Sequence, residues 1–240
     1  MWLVSDAVYV MNENEKFVPL RPEDIKKYRL KFEKNQKLIY IGHLDLLKLF
    51  QRSVKRGKLP IEYSKGFNPH QLMVFAIPLP LGMESGAEYI DIRLTEDVPP
   101  ETIVSSLNAV FPQGIRILEA RKISFSQNCA ADVHSADYTV ILPHTGFEDI
   151  IEEINKSESI QIERTVKKRV KQTEIRPYIK KLSIEGNTLK TTLVTGSQGN
   201  LKPDDLLKYI YKCKGLEYIP YKVKIKREEM YADTEGSVKL

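Results

Sequence analysis

The sequence predicts an α+β protein built from two tandem ferredoxin-like domains, each an antiparallel sheet in β-α-β-β-α-β order. Three observations point there. Short runs alternate apolar and polar residues at period two, amphipathic stretches of helical period separate them, and the order of these elements is the same in both halves of the 240 residues. A chain of this length can bury two small cores. No sequence identity between the halves supports the repeat, which rests on element order alone.

Residues 1–27 read as an N-terminal extension in which AVYVM offers an edge strand. The first domain spans 28–123 and opens with YRLKF (Tyr28 to Phe32), a strand with one wet face. Gly42 serves as the N-cap of a helix, with Asp45 near the positive end of its dipole. Leu44, Leu46, Leu47, Phe50 and Val54 supply its apolar face, and Gly57 closes it. Lys48, Arg52, Lys55 and Arg56 form a basic stripe on the opposite face. Ile61 to Tyr63, the SKGFNPH loop, an apolar run from Leu72 to Ile77 and Pro-Leu-Pro-Leu-Gly follow. EYIDIRL (Glu88 to Leu94) alternates cleanly, Pro99 to Phe111 is a helix opened by proline, and Ile115 to Ile123 is the closing strand. Glu88 and Asp91 fall on opposite faces of their strand, which favours surface charge over a pair of metal ligands.

Residues 124–136 read as a linker, and 137–240 as the second domain. Its elements are a strand from Tyr138 to Pro143, a helix from Gly146 to Lys156, and a strand pair (Ile160 to Val170, Leu182 to Thr195) around a basic connection. A helix from Lys202 to Lys212 and a strand from Tyr221 to Glu228 complete it.

With 42% hydrophobic and 29% charged residues, the composition is that of a globular protein. The longest apolar stretch, Met73 to Met83, is interrupted by Pro78 and Pro80 and is too short to span a bilayer. The first residues carry no signal-peptide pattern, so the expected location is cytoplasmic. Cys129 and Cys213 lie far apart with no CxxC, which leaves no zinc site, no cysteine-held iron–sulfur cluster and no disulfide framework; no metal or cofactor is expected. P-loop, dinucleotide glycine, HExxH and Gly-x-Ser-x-Gly motifs are all missing.

The net charge of +5 is unevenly spread. From Gln161 to Lys181, eight basic residues, among them Arg164, Lys167, Lys168, Arg169, Lys171 and Arg176, face only Glu163 and Glu174. Such a concentration attracts phosphates. In the GFNPH turn, Gly66, Asn68 and Pro69 set a specific backbone path, while Phe67 offers a stacking face beside Lys65 and His70. The expected nucleic-acid contacts are therefore Lys48, Arg52, Lys55, Arg56, Lys65, Phe67, Asn68, Lys167, Lys168, Arg169, Lys171 and Arg176. His43 at the start of the first helix reads as a hydrogen-bonding or capping partner when taken alone. If it converges with His70, the two could act as acid and base of a metal-independent endoribonuclease, with Lys65 stabilising the phosphate.

The HLD, GFNPH and PLPLG motifs (His43 to Asp45, Gly66 to His70, Pro78 to Gly82) resemble the start of the radical SAM-linked protein domain, a bacterial domain of undefined function. That domain occurs alone or fused behind radical SAM proteins with a cobalamin-binding-like region. The likeness continues through VKKRVKQTEIRPYIKKL and KREEMY and covers nearly everything from Tyr28 to Tyr231. Gly42 stands where the family usually has serine, and Gln71 where it has a second proline, so the cap is weaker and the turn less rigid. The resemblance implies a radical SAM protein as partner. This chain lacks the three cysteines for that chemistry, so it would supply something else, most plausibly substrate. The expected function is an RNA-binding accessory protein, with a pure protein-interaction module or the endoribonuclease as alternatives.

Overall fold

The computed structural model describes residues 9–11, 17–19, 26–166, 169–197 and 199–240. In the N-terminal extension, β1 (Tyr9–Met11) pairs antiparallel with β2 (Phe17–Pro19) as a separate two-stranded sheet. The strand expected in AVYVM therefore joins β2. The rest of the extension lies outside the described residues.

The first half runs β3 (Lys27–Lys34), α1 (His43–Arg56), β4 (Met73–Phe75), β5 (Glu84–Arg93), α2 (Pro100–Asn108) and β6 (Ile115–Lys122). Alternation in β3 turns Tyr28, Leu30 and Phe32 to one side, where they are fully buried with Phe50 and Val54 of α1 and Ile103 and Leu107 of α2. Leu46, Phe50 and Val54 recur every four residues and so share one stripe of α1. Leu44 departs from the expected apolar face: two residues before Leu46 it lies roughly 200° away round the helix and is exposed. At the end of α1, Gly57 lets the chain approach α2, since a Cβ there would sit 3.1 Å from the Ser106 carbonyl oxygen.

The second half runs α3 (Cys129–Asp132), β7 (Ser135–Ile141), α4 (Glu148–Lys156), β8 (Gln161–Val166), β9 (Arg169–Glu174), β10 (Ile179–Glu185), β11 (Thr188–Val194), α5 (Pro203–Cys213) and β12 (Lys224–Tyr231). The segment read as a linker holds α3, capped by Asn128, whose side chain accepts from the Ala130 N–H, and it buries Cys129. The strand pair expected from 160–170 and 182–195 is instead two hairpins, β8–β9 and β10–β11. Hairpin pairing needs the shorter loop closure, and it takes the basic segment out of the main sheet.

The sheet itself differs most from expectation. Two separate antiparallel sheets were predicted, but a single mixed eight-stranded sheet forms in the order β10-β11-β7-β12-β5-β3-β6, with β4 also paired to β5. The joint is a parallel contact between β12 and β5, Lys226 with Glu84 and Arg227 with Ser85. Strand β5 is ten residues long, and its Ile90–Ile92 end pairs β4 while its Glu84–Ser85 end pairs β12, so one edge serves both halves. The larger core accordingly crosses the midpoint of the chain, packing Leu79, Met83 and Tyr89 with Tyr138, Phe147 and Ile210. No helix among the described residues is long and apolar enough to cross a membrane.

Candidate nucleic-acid interface

The loop after α1 is closed at its neck by Ser64 and His70. The Ser64 N–H donates to the His70 carbonyl at 2.8 Å, the His70 N–H donates to Ser64 Oγ at 3.0 Å, and Ser64 Oγ lies 2.8 Å from His70 Nδ1. Gly66, at φ +129°, turns the chain through a conformation that a side chain would oppose. Lys65, Phe67, Asn68 and His70 are left exposed on the outside, and Phe67 is 105% exposed. Burying such a ring would ordinarily contribute about 2 kcal/mol, which this loop forgoes.

Gln71 fixes the loop to the helix. It is buried, and its Nε2 donates to the Gln51 carbonyl and to the Tyr63 hydroxyl, each at 3.3 Å. The end of the GFNPH turn is thus tied to the backbone of α1. Lys48, Arg52, Lys55 and Arg56 are all exposed along that helix. Lys48 reaches Asp45 at 3.9 Å, and Arg56 donates to the Val110 carbonyl at 3.0 Å. Among the described residues no carboxylate forms an ion pair with Arg52, Lys55 or Arg56.

The two histidines have different neighbours. The His43 ring packs edge-on against Phe75 at 5.4 Å between centroids, whereas His70 is engaged by Ser64. No hydrogen bond joins His43 to His70 among the described residues.

The basic hairpin is built differently. Lys167 and Lys168 lie outside the described residues, Arg169 opens β9, and Lys171 is exposed. Arg164 pairs with Asp205 of α5 at 2.8 Å. Arg176 donates from Nε to the Ser157 carbonyl at 3.0 Å, from Nη1 to Ile179 at 2.8 Å and from Nη2 to Asn155 at 3.3 Å, which makes it a clamp at the hairpin base. Glu174 accepts from the Ser159 hydroxyl and from the Ile160 and Arg176 N–H groups, and these bonds hold its carboxyl below the usual range.

Charges that the sequence places on the surface are in fact buried along β5. Asp91 accepts from Arg29 at 2.7 and 3.0 Å and from the Cys129 N–H at 2.8 Å, and Arg29 also reaches Asp132 at 2.8 Å. Lys34, Ser85, Arg227 and Tyr138 are successive cross-strand partners and form a row on one face across the β12–β5 joint. Glu88 pairs with Arg227 at 2.8 Å in this row. Burial raises the Glu88 carboxyl, with Arg227 opposing, and burial lowers the Lys34 ammonium. Glu88 and Asp91 are therefore not surface charges, because both faces of β5 are covered. The readable signal was complementarity: Arg29 and Lys31 on one strand, Glu88 and Asp91 on another, Arg227 and Glu229 on a third.

Burial, reinforced by Asp91, pushes the Cys129 thiol up to about 12, so no thiolate forms near neutrality. No group of three or more His, Cys, Asp or Glu is arranged to hold a metal among the described residues. What the exposed surface offers is stacking and phosphate contact.

The fold and this surface define an α+β protein with one large mixed sheet and an exposed basic and aromatic face. The profile of the family described as an uncharacterized protein conserved in bacteria (DUF2344) matches residues 27–203, and the chain belongs to that family. Among curated proteins none matches. Of solved structures, a Cbf5-Nop10-Gar1 complex aligns with TM-score 0.47 and 12% identity over 94% of this chain and 56% of that one. An H/ACA RNP bound to a substrate RNA containing 2′-deoxyuridine aligns with TM-score 0.44 and 14% identity over 95% and 58%. The archaeal box H/ACA sRNP Nop10-Cbf5 complex gives 0.41 and 12% over 85% and 48%. The chain spans about half the length of these chains, and at such scores the likeness carries no functional inference.

Proposed function

We propose that this chain is an RNA-binding accessory protein that works with a radical SAM partner and presents structured RNA to it for modification. The observation that carries the RNA reading is Phe67, a fully exposed ring held outward between Lys65 and Asn68 on a loop tied to the backbone of α1. An aromatic face next to cations is a platform for an unpaired base with its phosphates. Lys48, Arg52, Lys55 and Arg56 supply backbone contacts that give affinity without sequence preference, and Lys171 with its neighbours on β9 adds to them. The partner reading rests on the motif resemblance. The strand orders β6-β3-β5-β4 and β12-β7-β11-β10 support treating each half as a ferredoxin-like unit, fused through β5 and β12.

The test is fluorescence anisotropy of the full-length protein with a labelled stem-loop RNA over a series of salt concentrations. Affinity that falls steeply with salt and drops on Phe67→Ala and Lys65→Ala, with unchanged melting temperature, supports the reading. Salt-insensitive or undetectable binding would sink it.

A protein-interaction module without nucleic acid is the second reading. It is favoured by Tyr40, Leu44 and Leu81, which are 71%, 69% and 63% exposed around the HLD and PLPLG motifs. Gly82 donates to the Ile39 carbonyl at 2.9 Å and draws these segments together. Salt-insensitive capture of the radical SAM protein, lost in Leu44→Asp, distinguishes it. The endoribonuclease reading requires His43 and His70 to act on one phosphate, and RNA left uncut after long incubation removes it.

A further inference from the structure

We infer that the groove between the C-terminal half of α1 and the turn after α2 is a subsite for one unpaired nucleotide flanking a structured RNA. This rests on the RNA reading above and adds a place and a ligand that the Phe67 loop does not supply. The groove has a volume of about 620 Å³, with Leu49, Phe111 and Pro112 as its apolar floor and Arg52, Lys55 and Arg56 on its rim.

Three features select the occupant. Phe111 is held from behind by Phe50 at 4.8 Å between ring centroids, so the floor is a fixed platform. Arg52 and Lys55, three residues apart on α1, both line it, and among the described residues neither forms an ion pair with a carboxylate. Arg56 is tied to the Val110 carbonyl at 3.0 Å and fixes the groove's edge, which leaves the other two cations to meet an anion. A platform of one aromatic ring and one proline matches a single base. An amphipathic peptide helix would need a row of apolar pockets at i, i+4 and i+7, and the floor offers no such row. The base would stack on Phe111 and Pro112 while its phosphate meets Arg52 and Lys55.

The experiment compares two labelled RNAs, a stem-loop with a short unpaired 3′ uridine tail and the same stem-loop ending blunt, on the full-length protein. The tailed RNA is expected to bind roughly tenfold more tightly, and Phe111→Leu, which keeps an apolar side chain against Phe50, is expected to erase that difference. As a measurement free of folding effects, 5-iodouridine in the tail should photo-cross-link in the wild-type protein to the peptide containing Phe111. Equal binding of both RNAs, still sensitive to Phe67→Ala, overturns the subsite and leaves RNA binding standing. A tail preference that survives Phe111→Leu, with no cross-link at 110–112, also overturns it and places the tail elsewhere on the protein. If neither RNA binds, both readings fall together.

Discussion

Residues 48–71 and 161–181 carry the same side-chain chemistry, lysines and arginines with few acidic neighbours, yet the fold uses them differently. On α1, Arg52 and Lys55 are exposed with no acidic partner among the described residues, and the adjacent loop holds Phe67 in solvent. In the second segment Arg164 is bound to Asp205, and Arg176 spends all three guanidinium nitrogens on backbone carbonyls. A cation whose charge is matched by a carboxylate, as at Arg164, or whose donors are used within the fold, as at Arg176, is a poor phosphate contact. Charge density along the chain therefore overstates both clusters, the second at Arg164 and Arg176 more than the first at Lys48 and Arg56.

At its buried extreme the contrast is largest. Removing one member of a buried pair leaves an uncompensated charge, so Asp91→Ala is expected to destabilise by about 3–5 kcal/mol in chemical denaturation. It removes two of the carboxylate hydrogen bonds of Arg29, which keeps Asp132, and also deprives the Cys129 N–H of its acceptor. A loss under about 1 kcal/mol would mean that water reaches the Arg29–Asp91 pair.

Arg176→Ala comes next, at about 2 kcal/mol of stability for three lost hydrogen bonds and with RNA affinity nearly unchanged. If affinity fell and stability held, the division drawn above would be broken. The reverse pattern is expected of Arg52→Ala with Lys55→Ala. Stability should stay within about 0.5 kcal/mol, while the slope of log K against log salt becomes shallower by about 2.

The smallest effect is in pH. Burial disfavours ionisation of Glu229, but Lys31 at 2.6 Å and the Tyr89 hydroxyl at 2.7 Å outweigh it and hold the carboxyl below its ordinary value of 4.5. A lowered carboxylate contributes stability that is full above the unfolded value and is lost as pH falls through the folded one. Glu229→Gln should therefore flatten the acid limb of stability below pH 4.5, as read by thermal melts across a pH series. Glu88 acts in the opposite direction: because burial raises it, stability declines as pH rises through its folded value.

Most elements were legible in the sequence because each needs only one face in the core. The period of β3, the Leu46–Phe50–Val54 stripe of α1 between Gly42 and Gly57, and the Pro-opened helices α2 and α5 follow from local spacing. The exposure of the GFNPH turn and of the α1 basic stripe was legible as well, since both follow from local spacing and turn residues. What only the tertiary structure decided was every contact made across long separations. The β12–β5 joint rests on two parallel register pairs about 140 residues apart, too brief to leave a periodic mark. The burial of Glu88 and Asp91 depends on α3 and β12 covering β5, and the commitment of Arg164 and Arg176 depends on α5 and the C-terminal end of α4. Local spacing sets which face of an element is apolar, but a charge is free or committed according to which distant partner the fold brings within hydrogen-bonding distance.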